Sequence, residues 1–155
     1  MSEEQIKLRW LMMSAVQHLH AERFQAALAD CESALRLDPE NNSRLYLLRA
    51  TLFARMHRFT DAIANLNEAI DIQREYGIAY LMRAYCHRAI GNSAAADQDL
   101  QKALMMAEAI LHGFCAETGM IRTRFDATQA LFDGDRDYPQ LFLPAEEIER
   151  LRQAA

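Results

Sequence analysis

Cysteine and histidine stand side by side at Cys86 and His87, and Tyr85 precedes them. A soft sulfur next to an imidazole can belong to a metal site, or the imidazole can activate the thiol as a nucleophile. The pair can equally be packing, since a free cysteine behaves as a small hydrophobe. The helices that carry the two residues decide between these alternatives.

Two further clusters contain residue types that bind metals. His112 and Cys115 are three residues apart, which is one face of a helix, but no third ligand lies near them. The aspartates of 133–137 match the start of a calcium loop, whereas Tyr138 and Pro144 replace its glycine and its closing glutamate. No catalytic serine, histidine and acid combination and no phosphate loop stands out. We therefore expect no enzyme activity, no metal and no cofactor.

The composition predicts one globular domain, because 51% of the 155 residues are hydrophobic and 25% are charged. Residues 1–109 carry a net charge of -2 and residues 110–155 carry -3, so neither part has the basic excess of a nucleic-acid binder. Apolar runs are too short for membrane insertion. The acidic start and the three scattered cysteines favour a cytoplasmic protein without a disulfide framework.

Apolar residues recur with helical spacing and show no sustained alternation, which predicts an all-α fold. The expected helices come in pairs, at roughly 3–20 with 23–37, 44–56 with 60–73, and 78–90 with 93–112. Ser2 with Gln5 resembles a capping box, and Thr60 and either Asn92 or Ser93 are candidate N-caps. Gly91 suits a left-handed turn after a helix.

The chain repeats itself. "YLLRATLFARMHRFTDAIANLNEAI" from Tyr46 aligns without a gap on "YLMRAYCHRAIGNSAAADQDLQKAL" from Tyr80, at a shift of 34. An earlier copy ends in "RFQAALADCESALRLDP" and matches at a shift of 35. The small residues that recur are Ala15, Ala50 and Ala84, then Ala27, Ala62 and Ala96, then Ala34, Ala69 and Ala103. Such repeats indicate stacked helical hairpins whose helices cross closely at the alanines.

These residues, with Phe24 and Phe59 in the turns and Pro39 closing the first copy, resemble the tetratricopeptide repeat (TPR) over about 8–109. Ser93 departs from the pattern, because the family prefers an aromatic residue in that turn. The resemblance implies three repeats in 1–112 (about 8–41, 43–76 and 77–110), wound into a right-handed superhelix, and a helical cap at 113–155. It also implies a protein that binds peptides or proteins in a concave groove lined by the first helix of each hairpin, helix A.

The groove positions of the family map onto fourteen residues of this chain. They are Arg9, Met12, Met13, Val16, Arg44, Leu47, Leu48, Thr51, Arg55, Ile78, Leu81, Met82, Tyr85 and Arg88. The middle of this set is apolar and its ends are arginine, a composition common at binding surfaces. The alternative is that these side chains pack on the tail or on neighbouring helices.

One kind of ligand is disfavoured by the same mapping. TPR co-chaperones that bind the terminal carboxylate of heat-shock chaperones use lysine, asparagine and arginine at defined helix A positions. The matching residues here are Met12, Val16, Leu48, Ile78 and Met82, and none of them can bind a carboxylate.

The tail contains an apolar extended segment, 138–144, with Leu141 and Phe142 between two prolines. The stretch 139–144 is similar to the motif that TPR chaperones of type III secretion translocators bind. It predicts an alternative in which the chain's own tail fills the groove, in cis or in a homodimer, or in which the chain is such a chaperone.

The repeat alignment also bears on the Cys–His pair. His87 falls in the slot of Phe53 and His18, and Cys86 in the slot of Leu52. Both side chains are therefore expected to pack between helices, and a binding role is expected for their neighbours Tyr85 and Arg88.

Overall fold

The structure is a computed structural model that describes residues 1–118 and Glu146, with side chains for 1–107 and Glu146. Over 1–118 the chain forms six α-helices and no strand, which confirms the predicted all-α class. The helices are α1 (Glu3–His20), α2 (Phe24–Leu37), α3 (Ser43–Arg55), α4 (Phe59–Ile72), α5 (Gly77–Ala89) and α6 (Ser93–Thr118). The first five begin and end within a residue of the predicted bounds, whereas α6 continues past the predicted end at 112.

Several expectations fall outside these residues. They are the side chains of His112 and Cys115, the aspartates of 133–137, the segment 138–144 and the helical cap beyond Thr118.

The chain divides into two compact units, Met1–Arg74 and Glu75–Ala155. In the first unit α1 packs on α2 and α3 packs on α4, and α3 also contacts α2 and α1. In the second unit α5 packs on α6. The A helices are therefore α1, α3 and α5, each paired with the helix that follows it.

Alanine lies where the paired helices approach. Ala15 and Ala27 in the first hairpin, and Ala50 and Ala62 in the second, have no exposed surface. Ala84 and Ala96 repeat the arrangement in the third hairpin, with 1% and 0% exposure, and Ala34, Ala69 and Ala103 are fully buried as well. A larger side chain at these slots would push the two helices apart, which explains the recurrence.

The capping box at the start of α1 is confirmed. The backbone N–H of Gln5 donates to Ser2 Oγ at 3.2 Å, and the Ser2 N–H donates to Gln5 Oε1 at 2.9 Å. The two reciprocal bonds satisfy amide donors that have no partner inside the helix.

The expected cap at Thr60 is wrong. The helix α4 begins one residue earlier at Phe59, and Arg58 precedes it without a side-chain cap. Phe59, the aromatic residue of the turn, is the first residue of the helix, so Thr60 already lies inside it. Before α6 the cap is Asn92, whose Oδ1 accepts from the Ala95 N–H at 3.3 Å.

Each of the three hairpins within residues 1–118 turns through one residue with a left-handed backbone. Glu22 and His57 have φ of 58°, and Gly91 has φ of 86°, which confirms the turn expected at the glycine. The N–H of the next residue then bonds back into the preceding helix at 2.8 Å in all three turns. Of these three turns, only the third has glycine, which adopts the left-handed conformation without strain.

Candidate peptide-binding surface

Cys86 is not a reactive group. It is fully buried in α5, and burial raises the pKa of its thiol to about 12. Cys31 in α2 is also fully buried, and burial again raises the thiol pKa to about 12, opposed by the charge of Arg49. A thiol at neutral pH is a poor nucleophile and a poor metal ligand. Packing is therefore the role of both cysteines.

His87 faces the carboxylate of Asp99, which already accepts hydrogen bonds from an arginine. Its Nε2 lies 3.8 Å from Asp99 Oδ2, while Arg83 donates to both carboxylate oxygens of Asp99, each at 2.7 Å. Asp99 is 3% exposed. Its oxygens bind α5 to α6 across the hairpin, so the carboxylate is not placed to activate a substrate.

The first hairpin repeats this arrangement between α1 and α2. Ser14 Oγ donates to Asp30 Oδ2 at 2.6 Å, and His18 Nε2 lies 3.7 Å from the same oxygen. Arg23 donates from Nε to His18 Nδ1 at 3.0 Å. In a catalytic triad the imidazole lies between the serine and the acid. Here the serine donates directly to the acid, so the cluster is not arranged to activate the serine as a nucleophile. It connects helices.

The second hairpin fills the same slots differently. Phe53 stands in place of the histidine, and the guanidinium carbons of Arg49 and Arg58 lie 5.8 and 4.7 Å from its ring centroid. Asn65 stands in place of the acid and donates to the carbonyl of Asp61 at 2.8 Å. The repeat alignment indicates the shared aromatic slot, but the acids opposite the two histidines were not among the predicted residues. The signal was present, because Asp30 and Asp99 occupy equal slots of the first and third copies.

Within the described part of the chain, His, Cys, Asp and Glu side chains form no group of three that could hold a metal ion. Over the same residues no helix is long and apolar enough to cross a membrane.

The fourteen residues expected on the groove differ widely in exposure. Arg9, Met13 and Arg55 are exposed, and Met12, Val16, Arg44, Tyr85 and Arg88 are half-buried. The other six are at most 2% exposed: Leu47, Leu48, Thr51, Ile78, Leu81 and Met82. A ligand could therefore reach only the first eight without displacing a covering group. The six buried residues all lie on α3 and α5, whereas the expected residues of α1 are accessible.

On α1 the accessible residues divide between two faces. Met12 and Val16 are four residues apart and share one face, whereas Met13 lies with Trp10 on another. Met12 Sδ accepts a weak hydrogen bond from Asn42 Nδ2, 3.6 Å away, at the start of α3. This contact holds the methionine beside the next A helix.

Arg55 at the end of α3 reaches the first hairpin. Its guanidinium carbon lies 5.9 Å from the ring centroid of Phe24, and Nη2 lies 3.6 Å from a carboxylate oxygen of Glu22. Both Arg55 and Glu22 are largely exposed, so the ion pair contributes little stability. The arginine remains at the surface as a cation beside the turn.

Residues 78–110 match the model of the tetratricopeptide repeat family. The chain also resembles the solved structure described as the TPR2B-domain:pHsp70-complex of yeast Sti1, with a TM-score of 0.66 and 20% identity. That match covers 85% of this chain and 98% of the other. The third hairpin therefore matches the tetratricopeptide repeat family, and the chain shares the fold of a TPR domain.

Several curated proteins resemble a little over half of the chain. A DnaJ homolog subfamily C member 7 homolog of Dictyostelium discoideum is 33% identical over 90 residues, which are 56% of this chain and 17% of the relative. The Hsp70-Hsp90 organizing protein of Triticum aestivum is 28% identical over 86 residues, 56% of this chain and 15% of the relative. Sperm-associated antigen 1 of Rattus norvegicus is 30% identical over 84 residues, 54% of this chain and 9% of the relative. The chain thus spans less than a fifth of the length of these relatives.

Proposed function

We propose that this TPR chain is a non-catalytic scaffold, adaptor or chaperone module that binds a peptide or protein segment on its A helices. The observation that carries the proposal is the half-buried pair Met12 and Val16 on α1. They occupy the slots of Leu47 and Thr51, which are buried on α3. The pair therefore offers an accessible apolar contact on a face whose counterpart in the second repeat is buried. The peptide complex of the yeast TPR2B domain supports a peptide as the kind of partner.

The side chains around this pair define the ligand. Arg9 and Arg55 are exposed and Arg44 is half-buried, so the rim of the first unit is cationic. Methionine adapts its shape to different apolar partners, and arginine pairs with carboxylates. A matching ligand is an apolar segment with acidic residues beside it.

A terminal carboxylate is not expected to be the main anchor. Of the positions that form a carboxylate clamp in heat-shock co-chaperones, Leu48, Ile78 and Met82 are apolar and buried here. The remaining two, Met12 and Val16, carry no hydrogen-bond donor in their side chains. Likeness to heat-shock co-chaperones thus supports a peptide ligand, bound through its side chains.

Selection of displayed random peptides on the purified full chain tests the proposal. We expect selected peptides to carry apolar residues flanked by acids. Their affinity should fall at least tenfold in Met12→Glu and in Val16→Glu, because each change places a carboxylate on the proposed surface. Met105→Glu is the matched control, since Met105 lies on α6 and is 71% exposed. Equal binding by all variants, or no selected peptide, would disprove the proposal.

A second candidate is that the chain's own tail occupies this surface. The burial of Leu47, Thr51 and Leu81 on A helices favours it, because groove-facing residues of an empty TPR surface would be open to solvent. The chain also contains an apolar extended segment at 138–144. The segment could act in cis or from a second copy, and the likeness to type III secretion chaperones supports that kind of ligand.

Removing residues 134–155 separates the two candidates. If the tail fills the surface, the shortened chain gains affinity for a synthetic peptide of residues 134–155, and any homodimer formed through the tail is lost. If the surface is open to other ligands, the shortened and full chains bind the selected peptides equally.

A further inference from the structure

Three large apolar side chains on α1 form an exposed stripe. Ile6 is 56% exposed, Trp10 is 64% exposed and Met13 is 63% exposed. Their spacing of four and three residues puts them on one face of the helix. We call Ile6, Trp10 and Met13 the α1 stripe. Together they expose on the order of 400 Å², and an apolar patch of this size on a soluble protein is often functional.

The corresponding slots are buried in the other repeats. Trp10 and Met13 occupy the slots of Leu45 and Leu48 on α3, which are 0% and 1% exposed. The helix α3 contacts the preceding hairpin through α2 and α1. In the second unit the same slots hold Ala79 and Met82, both fully buried. The α1 stripe is therefore a repeat-packing face that is uncovered in a single copy of the chain.

We propose that this face binds a second copy of the chain, with α1 antiparallel to α1 of its partner across a two-fold axis. Placing Trp10 near the axis sets Ile6 of one copy against Met13 of the other, so each stripe covers its counterpart. A two-fold interface needs such a self-complementary patch.

The charges of α1 fit this direction. Its first turn is acidic, with Glu3 and Glu4, and its last turn carries the exposed His20, whereas His18 contacts Asp30 and Arg23 within the first hairpin. Antiparallel pairing brings the acidic turn of one helix near the histidine-bearing turn of the other and opposes the two helix dipoles. Parallel pairing would set the acidic turns against each other. The charge pattern of α1 is therefore complementary to itself in the antiparallel orientation, which fits a second copy as the occupant.

The patch is about half of the roughly 800 Å² that each partner buries in a stable complex. Neighbouring exposed polar residues such as Lys7 and Gln17 would supply the rest as a rim. We expect a reversible dimer with a dissociation constant of about 1–100 μM. This surface is distinct from the face of Met12 and Val16, so dimer formation does not depend on the proposed peptide binding.

Sedimentation of the full chain over about 1–500 μM tests the inference. The 17.8 kDa chain should shift toward twice its mass, and Trp10, the single tryptophan, should move its fluorescence to shorter wavelength over the same range. Met13→Glu should raise the dissociation constant at least tenfold and retain the tryptophan as a probe. Met105→Glu, a matched change at an exposed methionine on α6, should leave the dimer unchanged.

Each other outcome overturns the inference. A monomer with solvent-exposed tryptophan emission at every concentration leaves the stripe without an occupant. Short-wavelength emission that does not depend on concentration means that the stripe is covered within one copy. A dimer that survives Met13→Glu is formed elsewhere, for example through the tail. Circular dichroism checks that the variant is helical, and Ile6→Glu replaces it if it is not.

Discussion

Arg83 on α5 holds both carboxylate oxygens of Asp99 on α6, each at 2.7 Å. The Asp99 side chain is 5% exposed and that of Arg83 is 18% exposed. Bringing the two charges out of water costs free energy, and the bidentate contact offsets it only while both partners are present. This pair is a buried ionic contact that joins the two helices of the third hairpin.

Removing one partner should therefore be strongly destabilising. We expect Arg83→Ala to lower the free energy of unfolding by about 3 kcal/mol or more, since it leaves a buried carboxylate unpaired. Replacing both residues, as Arg83→Met with Asp99→Leu, should restore most of the loss. Asp61→Ala is the control, because Asp61 and Arg58 are half exposed and their ion pair should be worth less than about 1 kcal/mol. Urea unfolding measures all three, and equal losses for the buried and exposed pairs would contradict the argument.

The histidine beside this pair is replaceable. His87 Nδ1 is buried and makes no hydrogen bond within the described residues. Phenylalanine occupies the same slot in the second repeat, at Phe53. We expect His87→Phe to raise the free energy of unfolding by about 0.5–1 kcal/mol, because a buried unsatisfied nitrogen is removed while Asp99 keeps Arg83. His57→Phe, at an exposed position, should show no comparable gain, and a loss of stability in His87→Phe would mean that the contact with Asp99 matters.

The buried cysteines predict a pH dependence. Burial raises the pKa of both Cys31 and Cys86 from 9.0 to about 12, so the fold favours the protonated thiols. Above pH 9 the unfolded chain releases protons that the folded chain keeps, and stability falls as pH rises toward 12. The expected slope is about 1.4 kcal/mol per pH unit for each cysteine. Below pH 9 the effect vanishes.

Unfolding by urea at pH 8 and pH 10.5 measures this slope. Two chains are compared: the Cys115→Ser variant, and the same variant with Cys31→Ala and Cys86→Ala added. Both contain the same tyrosines and lysines, so the contribution of those groups to the pH dependence cancels in the difference. If the pH-dependent loss is as large without the two cysteines, the thiols are not its cause.

The hairpin turns give the fourth prediction. A methyl group added at Gly91 meets nothing within 4 Å, so Gly91→Ala tests the left-handed backbone alone. We expect it to cost about 1–2 kcal/mol of stability. His57→Gly changes the equivalent position in the opposite direction and should stabilise by up to about 1 kcal/mol, reduced by the loss of its edge contact with Phe59. Thermal unfolding of both variants measures the pair, and changes of the same sign would show that turn strain does not control stability here.

Much of the local architecture could be predicted because its signals are short in range. Ser2 and Gln5 form the capping box that their spacing indicated, and Gly91 has the left-handed backbone expected of it. The helix pairs follow from apolar spacing and from alanines that recur at a fixed shift. Thr60 was misassigned because the side chain at a cap position is only a weak guide when an aromatic residue in the turn starts the helix.

The binding surface was harder to predict. Family positions placed Leu48 and Met13 in equal slots on one groove, yet the first is 1% exposed and the second is 63% exposed. The two residues have the same helical phase and differ only in what stands in front of them. Periodicity shows which side chains share a face, and it contains no information about the neighbour of that face.

The sequence by itself determined the all-α class, the paired helices and the small residues at their crossings, because these depend on spacing within about one repeat. Only the tertiary structure showed that Asp30 and Asp99 oppose His18 and His87, that the Cys86 thiol is too buried to react, and that the α1 stripe is open. Each of these depends on which helices meet across a turn. Burial and charge pairing are properties of the contact between helices, and the order of residues along one helix does not contain them.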